Sequence, residues 1–378
     1  MSSENSPYYF DTASTSKVDS RVLDAMLPYF TEIYGNASSN HDFGKKAKKA
    51  IDLSRKQVAQ LINSNEDEII FTSGATEAIN MVLKGFVDAN YEKGNHIITV
   101  KTEHKAVLES CGYLEERGVE VTYLNVDKNG LISLDELKNA IRPDTLLICI
   151  MYVNNETGVI QPIKEIGLLA KENNIVFFCD ATQAAGKIAI DVEKEPIGML
   201  CLSGHKLNGP KGIGVLYKRK NIKLTPLMHG GGQEHGLRAG TYNTPLIVGL
   251  GKACEISSQE MEMNAVVLNK INDYLLQELY QIKGFALLGN KNHKVSNIND
   301  VLIPGLNSDV FIPKSTNLSL SNGSACSSEI IESSHVLKAM GLTDSECNQS
   351  IRISIDKNTT KDQIDELIKS FKAELNLK

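Results

Sequence analysis

The sequence predicts an α/β protein with a mainly parallel sheet and a second, smaller α+β lobe. Between about residues 50 and 220, short apolar runs such as HIITV, LLICIMYV and IVFFCD alternate with helical patterns. Continuous apolar runs of this kind are typical of strands that are buried on both faces of a parallel sheet. After about residue 256 the pattern changes to a long helix (VVLNKINDYLLQELYQI), the stretch NINDVLIP and a final helix, which together indicate the second lobe.

The elements of the first lobe follow one another in a regular order. The helical segment KKAIDLSRKQVAQLI precedes the strand EIIFT, and TEAINMVLKGFVDA leads to HIITV. A helix at about 105–117, the strand VEVTYL and a helix at about 133–141 come next, and Ser133 with Glu136 predicts a capping box. A helix at about 163–172 then precedes IVFFCD.

The last helix has a start signal and an apolar face. Thr360 and Gln363 have the spacing of a capping pair. Apolar residues then recur at helical spacing, which predicts one buried face made of Ile364, Leu367, Ile368 and Phe371.

Composition excludes several classes of protein. The chain has 378 residues, a net charge of −6 and scattered lysines and arginines, which argues against direct binding to a nucleic-acid backbone. Apolar runs stay well short of the roughly 20 residues of a membrane span. The start MSSENSPYYFD lacks the basic and apolar regions of a signal peptide. We therefore expect a soluble cytoplasmic protein.

Seven cysteines without a CxxC pair argue against a disulfide framework or a zinc site. Four of them have apolar neighbours and are expected to be small buried hydrophobic residues: Cys111, Cys149, Cys179 and Cys201. Cys326 differs, because it lies in SNGSACSS among small polar residues that cannot pack a core. We expect that stretch to form a mobile loop that presents its thiol.

Candidate site residues directly follow the predicted strands, where ligands of α/β sheets bind. TSGATEA opens a helix whose free N–H groups could hold a phosphate, although plain capping explains it equally well. Asp180 ends the apolar run IVFFC, and a buried carboxylate needs a cationic partner. Lys206 follows MLCL beside Ser203 and His205; taken alone, it could be a solvated surface lysine.

Together these residues match the needs of pyridoxal 5'-phosphate. That cofactor takes a lysine for its aldehyde, an acid for its pyridine nitrogen, and a helix start with hydroxyls for its phosphate. Lys206, Asp180 and the helix start at 74–77 supply all three. GPKGIG lacks the GK[ST] ending of a P-loop. His229 and His235 have no evident third ligand, so no metal site is predicted.

From about Tyr9 to the final helix, the chain resembles the group I cysteine desulfurases, the NifS/IscS-like family of fold-type I pyridoxal-phosphate enzymes. The motifs are FTSGATEAIN, TEHKAVL, VNNETGVIQP, DATQAAGK, SGHKLNGPKGIG, HGGGQEHGLRAGT, SNGSACSS and SIRIS. The resemblance implies a large domain, residues 16–260, with a mainly parallel seven-stranded sheet. It also implies a small domain, residues 1–15 and 261–378, which carries the catalytic cysteine loop at about 319–333.

The resemblance assigns a role to each cofactor contact. Lys206 would bind the cofactor covalently, Asp180 would pair with the pyridinium nitrogen and Gln183 would bind the phenolate oxygen. His104 would stack on the ring and serve in proton transfer. The phosphate would contact Ala75, Thr76, Ser203, His205 and, from the partner subunit of a homodimer, Thr241.

The implied reaction converts L-cysteine to L-alanine and leaves a persulfide on Cys326 for delivery to an acceptor protein. Arg352 would bind the substrate carboxylate, with Asn155 and Asn36 helping to position the substrate. GNAS, GGGQE and GTYNTPLIVGLGKA resemble the desulfurases that serve DNA phosphorothioation, while iron–sulfur cluster assembly and thiolation stay open as alternatives.

Some positions depart from the family pattern. Ala37 stands where proline is common, and DTASTS replaces DNAATT near the start. Asp356-Lys357 replaces a glycine-arginine pair, which puts a second guanidinium contact to the substrate in doubt. The chain stops soon after its last helix, whereas housekeeping members of the family continue into a tail that docks the iron–sulfur scaffold.

Two other functions compete with the desulfurase interpretation. A selenocysteine lyase, or another pyridoxal-phosphate lyase, has no need of the thiol in SNGSACSS, and relative rates on cysteine and selenocysteine discriminate between them. A non-enzymatic regulator or scaffold that keeps the cofactor fold would not need Lys206, Asp180, His104 and Cys326 together. A colourless protein that is inert with cysteine would favour the regulator.

Overall fold

The computed structural model describes residues 7–323 and 333–377. The strands are β1 (Tyr8–Tyr9), β2 (Ile69–Thr72), β3 (His96–Val100), β4 (Glu120–Leu124), β5 (Thr145–Cys149), β6 (Val176–Asp180), β7 (Met199–Ser203), β8 (Gly214–Lys218), β9 (Ala286–Leu288), β10 (Ile298–Leu302), β11 (Leu318–Ser319) and β12 (Ser350–Ser354). The helices are α1 (Ser20–Met26), α2 (Pro28–Thr31), α3 (Asp42–Ile62), α4 (Ala75–Asn90), α5 (Lys105–Glu115), α6 (Leu134–Ala140), α7 (Ile163–Glu172), α8 (Thr244–Leu279), α9 (Ser308–Lys314), α10 (His335–Ala339), α11 (Asp344–Cys347) and α12 (Lys361–Glu374).

The predicted seven-stranded, mainly parallel sheet is confirmed. Its strand order is β2-β8-β7-β6-β5-β3-β4. Only β8 runs against its neighbours β2 and β7, and the other pairs in this sheet are parallel. A short connection after β7 returns the chain as an antiparallel strand. The parallel pairs β3/β4 and β5/β6 are joined by crossovers that contain α5 and α7, whereas residues 181–198 join β6 to β7 without a helix.

Both faces of this sheet are buried, which explains the continuous apolar runs. Along β6, Phe177 and Cys179 pack into one hydrophobic cluster and Phe178 packs into another on the opposite face. The first cluster includes residues of α3, α7 and α8, and the second includes residues of α4 and α5. The carboxyl ends of the parallel strands therefore stay open between two helical layers.

A second core lies around the antiparallel sheet β12-β10-β9. Phe10 packs into it, and β1 pairs with β11, so the N-terminal segment lies against the C-terminal part of the chain. α8 contributes to both cores, through Leu250 in the first and Leu275 in the second. The boundary predicted at 260/261 falls inside this helix.

α8 starts 22 residues before the stretch that its sequence pattern identified, at Thr244 instead of Val266. The first half contains Gly249 and Gly251, which weaken a helical pattern. An added Cβ at Gly251 would lie 2.6 Å from the backbone of Ser54, and one at Gly249 would lie 2.5 Å from Met26 Sδ. The glycines therefore allow α8 to pack closely against α3 and α1.

The predicted caps are partly confirmed. Thr360 and Gln363 form the full capping box of α12, and the four apolar residues of its predicted face are buried. Ser133 accepts the Glu136 N–H at the start of α6, but Glu136 Oε1 accepts from the Asn125 N–H instead of closing the box. The capping box predicted for α6 was therefore wrong in one of its two hydrogen bonds. The Glu136 carboxylate does not accept from the Ser133 N–H, because Asn125, the residue after β4, offers it a competing donor.

Six cysteines lie within the described residues, and all six are buried: Cys111, Cys149, Cys179, Cys201, Cys254 and Cys347. The four predicted to be buried are thus confirmed. Burial raises the pKa of each of these thiols, to about 12 for Cys111 and about 11 for Cys347. These cysteines are poor sources of a thiolate. Among the described helices, none is long and apolar enough to cross a membrane.

Candidate active site

A cavity of about 610 Å³ opens at the carboxyl ends of the parallel strands. Residues that follow β2, β3, β6 and β7 line it, together with the segment 13–15 and a residue of β12. Ten of the residues predicted from the sequence line this one cavity: Ala75, Thr76, His104, Asn155, Asp180, Gln183, Ser203, His205, Lys206 and Arg352.

Asp180 is buried at the last position of β6. Its Oδ1 accepts from the Thr182 N–H at 2.9 Å and from Cys201 Sγ at 3.4 Å. Glu103, which the sequence analysis did not single out, is fully buried near it. Burial, and then the charge of Asp180, raise the pKa of Glu103 well above its usual range. The raised pKa favours the neutral form of Glu103.

Lys206 lies in the short 3₁₀ turn Gly204–Lys206 that directly follows β7. Its Nζ donates to the Ser14 carbonyl at 2.8 Å and to the Ala13 carbonyl. Burial, and then the positive charge of Arg352, lower the pKa of Lys206 to about 8. A lysine in this environment has an appreciable neutral fraction near physiological pH, so it can act as a nucleophile or a base.

His104 is the N-cap of α5, and its Nδ1 accepts from the Ala106 N–H at 3.1 Å. In the neutral ring the proton is therefore on Nε2. Burial lowers the pKa of His104, an effect that the charge of Asp180 opposes. His335, which also lines the cavity, donates from Nε2 to the Glu103 carbonyl at 2.9 Å and so supports the chain just before His104.

One end of the cavity is suited to an anion. α4 begins there, and its first N–H groups have no acceptor within the helix. Ser203 Oγ lies 3.7 Å from the position of a Cβ on Gly74. His205 Nδ1 lies 3.1 Å from Thr15 Oγ1. Burial, and then the charge of Lys206, lower the pKa of His205 to about 4, so this imidazole is neutral at physiological pH.

The cavity also contains a guanidinium. Arg352 of β12 is 3% exposed; it donates to the Asn155 carbonyl at 2.9 Å, to Asp11 Oδ1 at 2.7 Å and to Ser14 Oγ at 2.6 Å. Arg352 Nε is buried without a hydrogen-bond partner among the described residues. Asp300, its neighbour on β10, is buried, and burial raises the pKa of that carboxyl well above its usual range.

Some predicted residues lie elsewhere. Asn36 is exposed and caps its own turn, accepting from the Ser38 N–H at 2.9 Å; Thr241 is also exposed, and neither lines the cavity of this chain. Cys326 lies outside the described residues. Ser321 and His335, on either side of the undescribed stretch 324–332, do line the cavity. No cluster of three or more metal-ligating side chains occurs in the described residues.

Sequence reasoning missed several residues that shape the site: Asp11, Ala13, Ser14, Glu103, Lys187 and His335. Asp11 carried a usable signal, because it ends the run YYF just as Asp180 ends IVFFC. Nothing local marks the Ala13 and Ser14 carbonyls as acceptors. They lie near Lys206 only because β1 and β12 bring the N-terminal segment to the mouth of the cavity.

The cavity fits pyridoxal phosphate by the chemistry of its donors and acceptors. It offers a buried amine of lowered pKa, the buried carboxyl group of Asp180, and a helix start with the hydroxyls of Thr76 and Ser203. A lysine, an acid and an anion site are the groups that this cofactor takes. The buried Arg352 adds a carboxylate-binding group in the same space.

Comparisons with known proteins agree with this arrangement. Residues 8–367 match the model of the family described as aminotransferase class-V. A relative named "Cysteine desulfurase IscS" from Methanosarcina thermophila is 47% identical over 370 residues, covering 97% of this chain and 92% of the relative. A solved "NifS-like protein" has a TM-score of 0.92 and 36% identity, covering 98% of this chain and 99% of that one.

A further solved structure, "SspA in complex with cysteine", has a TM-score of 0.84 and 40% identity and covers 93% of this chain and 100% of that one. The chain therefore belongs to the aminotransferase class-V family. It has the α/β fold of the NifS-like structures, and it is dependent on pyridoxal phosphate.

Proposed function

We propose that the chain is a cysteine desulfurase, which converts L-cysteine to L-alanine and transfers the sulfur atom to Cys326. One observation carries this proposal. A single cavity contains Lys206, Asp180 and Arg352, and the chain lines that cavity on both sides of the stretch that contains Cys326. The names of the relatives support the same reaction.

Two groups of cavity residues have separate binding roles. Lys206 binds the cofactor covalently, Asp180 pairs with its pyridinium nitrogen, and the start of α4 with Ser203 and His205 binds its phosphate. Bound in this way, pyridoxal phosphate supplies an electron sink for the pair left when the substrate loses its α-proton. The Arg352 guanidinium binds the substrate carboxylate, and its contacts to Asp11 and Asn155 fix its plane.

Proton transfer falls to Lys206 and His104. The Lys206 amine, freed when the substrate amine replaces it on the cofactor, would take the α-proton of the substrate, since its pKa of about 8 leaves part of the amine neutral. His104 is held with its proton on Nε2, because Nδ1 accepts from the backbone of α5. The Nε2–H group is therefore the one that His104 can offer to the ring or to the substrate.

Sulfur transfer requires the thiolate of Cys326. Its Sγ forms a bond to the substrate sulfur while the bond between that sulfur and the substrate Cβ breaks. The carbon fragment takes up protons and leaves as alanine, and Cys326 becomes a persulfide. No external oxidant or reductant is needed, because the electron pair of the broken C–S bond stays with the carbon fragment, which is reduced as the transferred sulfur is oxidised. The six buried cysteines cannot serve in this way, since burial raises the pKa of each.

The assembly and the partners are part of the proposal. Thr241 and Asn36 face outward from this chain, and we place them at the active site of a second copy in a homodimer. We also propose that residues 16–260 form the large domain and that residues 1–15 with 261–378 form the small one, with α8 joining the two. The cytoplasmic location stays a prediction.

A protein acceptor receives the sulfur in this proposal. The stretches GNAS, GGGQE and GTYNTPLIVGLGKA favour a DNA phosphorothioation system over iron–sulfur cluster assembly or thiolation. The net charge of −6 favours delivery to a protein over direct contact with DNA.

The test uses the purified holoprotein, L-cysteine and the Cys326→Ala variant. We expect wild-type protein to form alanine, and mass spectrometry to find one added sulfur atom on the peptide that contains Cys326. The variant should keep the visible absorbance of the cofactor but lose sulfur transfer. Cys347→Ala serves as the matched control and should retain sulfur transfer. Full turnover by Cys326→Ala would refute the proposal.

A further inference from the structure

Lys187 is a second lysine beside the active site, and no predicted role includes it. It lies in the segment 181–198 that joins β6 to β7, and it lines a small cavity of about 80 Å³ next to the main one. Burial lowers the pKa of Lys187 to about 7, and the charges of Lys206 and Arg352 add to this effect. Among the described residues, no carboxylate forms an ion pair with it. Its Nζ donates to Gln183 Oε1 at 2.7 Å.

This contact fixes the orientation of the Gln183 amide. A lysine amine donates to an oxygen acceptor, so Oε1 is the amide atom that faces Lys187. The other atom, Nε2, donates to the Ala13 carbonyl at 2.8 Å, and a carbonyl can only accept. Two independent partners therefore require the same orientation of a side chain that is 3% exposed.

The orientation decides which group Gln183 presents to the main cavity. Gln183 lines that cavity, and Nε2–H is its only kind of donor. A donor stabilises an anionic oxygen such as the phenolate of the bound cofactor, whereas a reversed amide would place an oxygen against it. The Ala13 carbonyl also accepts from Lys206 Nζ, so Lys187, Gln183 and Lys206 belong to one hydrogen-bond chain.

We propose that Lys187 is a positioning residue that holds the Gln183 amide with its Nε2–H toward the phenolate oxygen of the cofactor. It thereby favours the ionised phenolate and sets the pH at which the covalent link at Lys206 changes its protonation. This inference rests on the proposed function, because it requires the cofactor at Lys206. The charged groups around Lys187 are Lys206 and Arg352 and, across the small cavity, Asp19, Asp356 and Lys357.

The test is a pH titration of the visible absorbance of the holoenzyme, together with the dissociation constant of pyridoxal phosphate from the reconstituted apoprotein. We expect Lys187→Met to move the titration midpoint upward by about one pH unit, as the loss of one hydrogen bond to the anion predicts. We also expect the dissociation constant to rise roughly 5- to 10-fold. Gln183→Ala should produce the same shift, and the double variant should add little to it.

The controls separate positioning from a structural role. Lys187→Arg keeps a donor to Gln183 Oε1, so its titration midpoint should stay close to that of the wild type. Lys171→Met, at an exposed lysine, should leave the midpoint unchanged. If circular dichroism shows that Lys187→Met does not fold, Lys187→Gln replaces it in the test. Its amide can still donate to Gln183 Oε1, so we expect it to shift the midpoint less than Gln183→Ala does. An unshifted midpoint in folded Lys187→Met would overturn the inference. Wild-type protein without cofactor absorbance would instead refute the proposed function.

Discussion

Two parts of the cavity lining are built in different ways. At the sheet edge, Asp180 ends β6 and Lys206 closely follows β7, and each is placed by its strand. The second part, which we call the wall, consists of Arg352 of β12 with Asp11 and Asn155. Arg352 contacts both residues, although they are 341 and 197 positions away along the chain. The sheet edge is therefore a local product of the strands, whereas the wall forms only when distant segments come together.

This difference suggests a division of labour. In the proposed function, the sheet edge supplies the groups that bind the cofactor, and it lies in the large sheet between two hydrophobic clusters. The wall would supply the group that binds the substrate carboxylate, and its Arg352–Asp11 ion pair joins the N-terminal segment to β12. Substitutions at the sheet edge should therefore lower kcat. Substitutions in the wall should weaken substrate binding and leave the cofactor bound.

The largest effect is expected at Asp180. In the proposed function the Asp180 carboxyl pairs with the pyridine nitrogen of the cofactor, and Asp180→Asn would replace it with an amide, so we expect kcat to fall on the order of 100-fold or more. The absorbance of the bound cofactor should also change. Steady-state kinetics with L-cysteine and an absorbance spectrum check both. A variant with wild-type kcat would show that the sheet edge does not control the chemistry.

Arg352→Lys tests the wall. Lysine keeps the charge but loses the paired N–H geometry, so we expect KM for L-cysteine to rise roughly 10- to 100-fold, the value of one charge-assisted hydrogen bond. The cofactor spectrum should stay as in the wild type. Arg117→Lys, at an exposed arginine, is the matched control. An unchanged KM would contradict the assignment of the carboxylate to Arg352.

Asp11→Asn should have a smaller effect of the same kind. The amide still accepts a hydrogen bond from Arg352 but no longer forms the ion pair, so we expect KM to rise about 3- to 10-fold with little change in kcat. Measuring both variants and the double variant gives their coupling. Effects that simply add would show that Asp11 does not act through Arg352.

The smallest effect concerns the pH dependence of stability in the apoprotein. The pKa of His205 is about 4 in the folded chain and 6.5 without perturbation, so between these values the unfolded chain binds a proton that the folded chain does not. Stability is therefore lost as the pH falls from 6.5 toward 4. We expect thermal unfolding of His205→Asn to show a weaker loss over that range. His293→Asn, at an exposed histidine, should behave as wild type, and a similar slope in all three would refute the assignment.

The same contrast explains how much could be predicted from the sequence. Strand patterns placed Asp180 and Lys206 because an apolar run ends just before each site, and the structure brings both to one cavity. Strand direction could not be predicted in the same way. The apolar run of β8 looks like that of a buried parallel strand, but β8 is antiparallel to β7. The Ala13 and Ser14 carbonyls could not be predicted, because backbone acceptors have no residue signature and these are placed by contacts over long chain separations.

The most direct test of the account identifies the lysine that binds the cofactor. Lys206 and Lys187 both have a lowered pKa and both lie beside the same hydrogen-bond chain, but only Lys206 follows β7 at the sheet edge. Borohydride reduction of the holoenzyme, followed by digestion and mass spectrometry, fixes the cofactor on the residue that holds it. The account predicts the modification on the peptide that contains Lys206. Modification of Lys187, or of neither lysine, would contradict it.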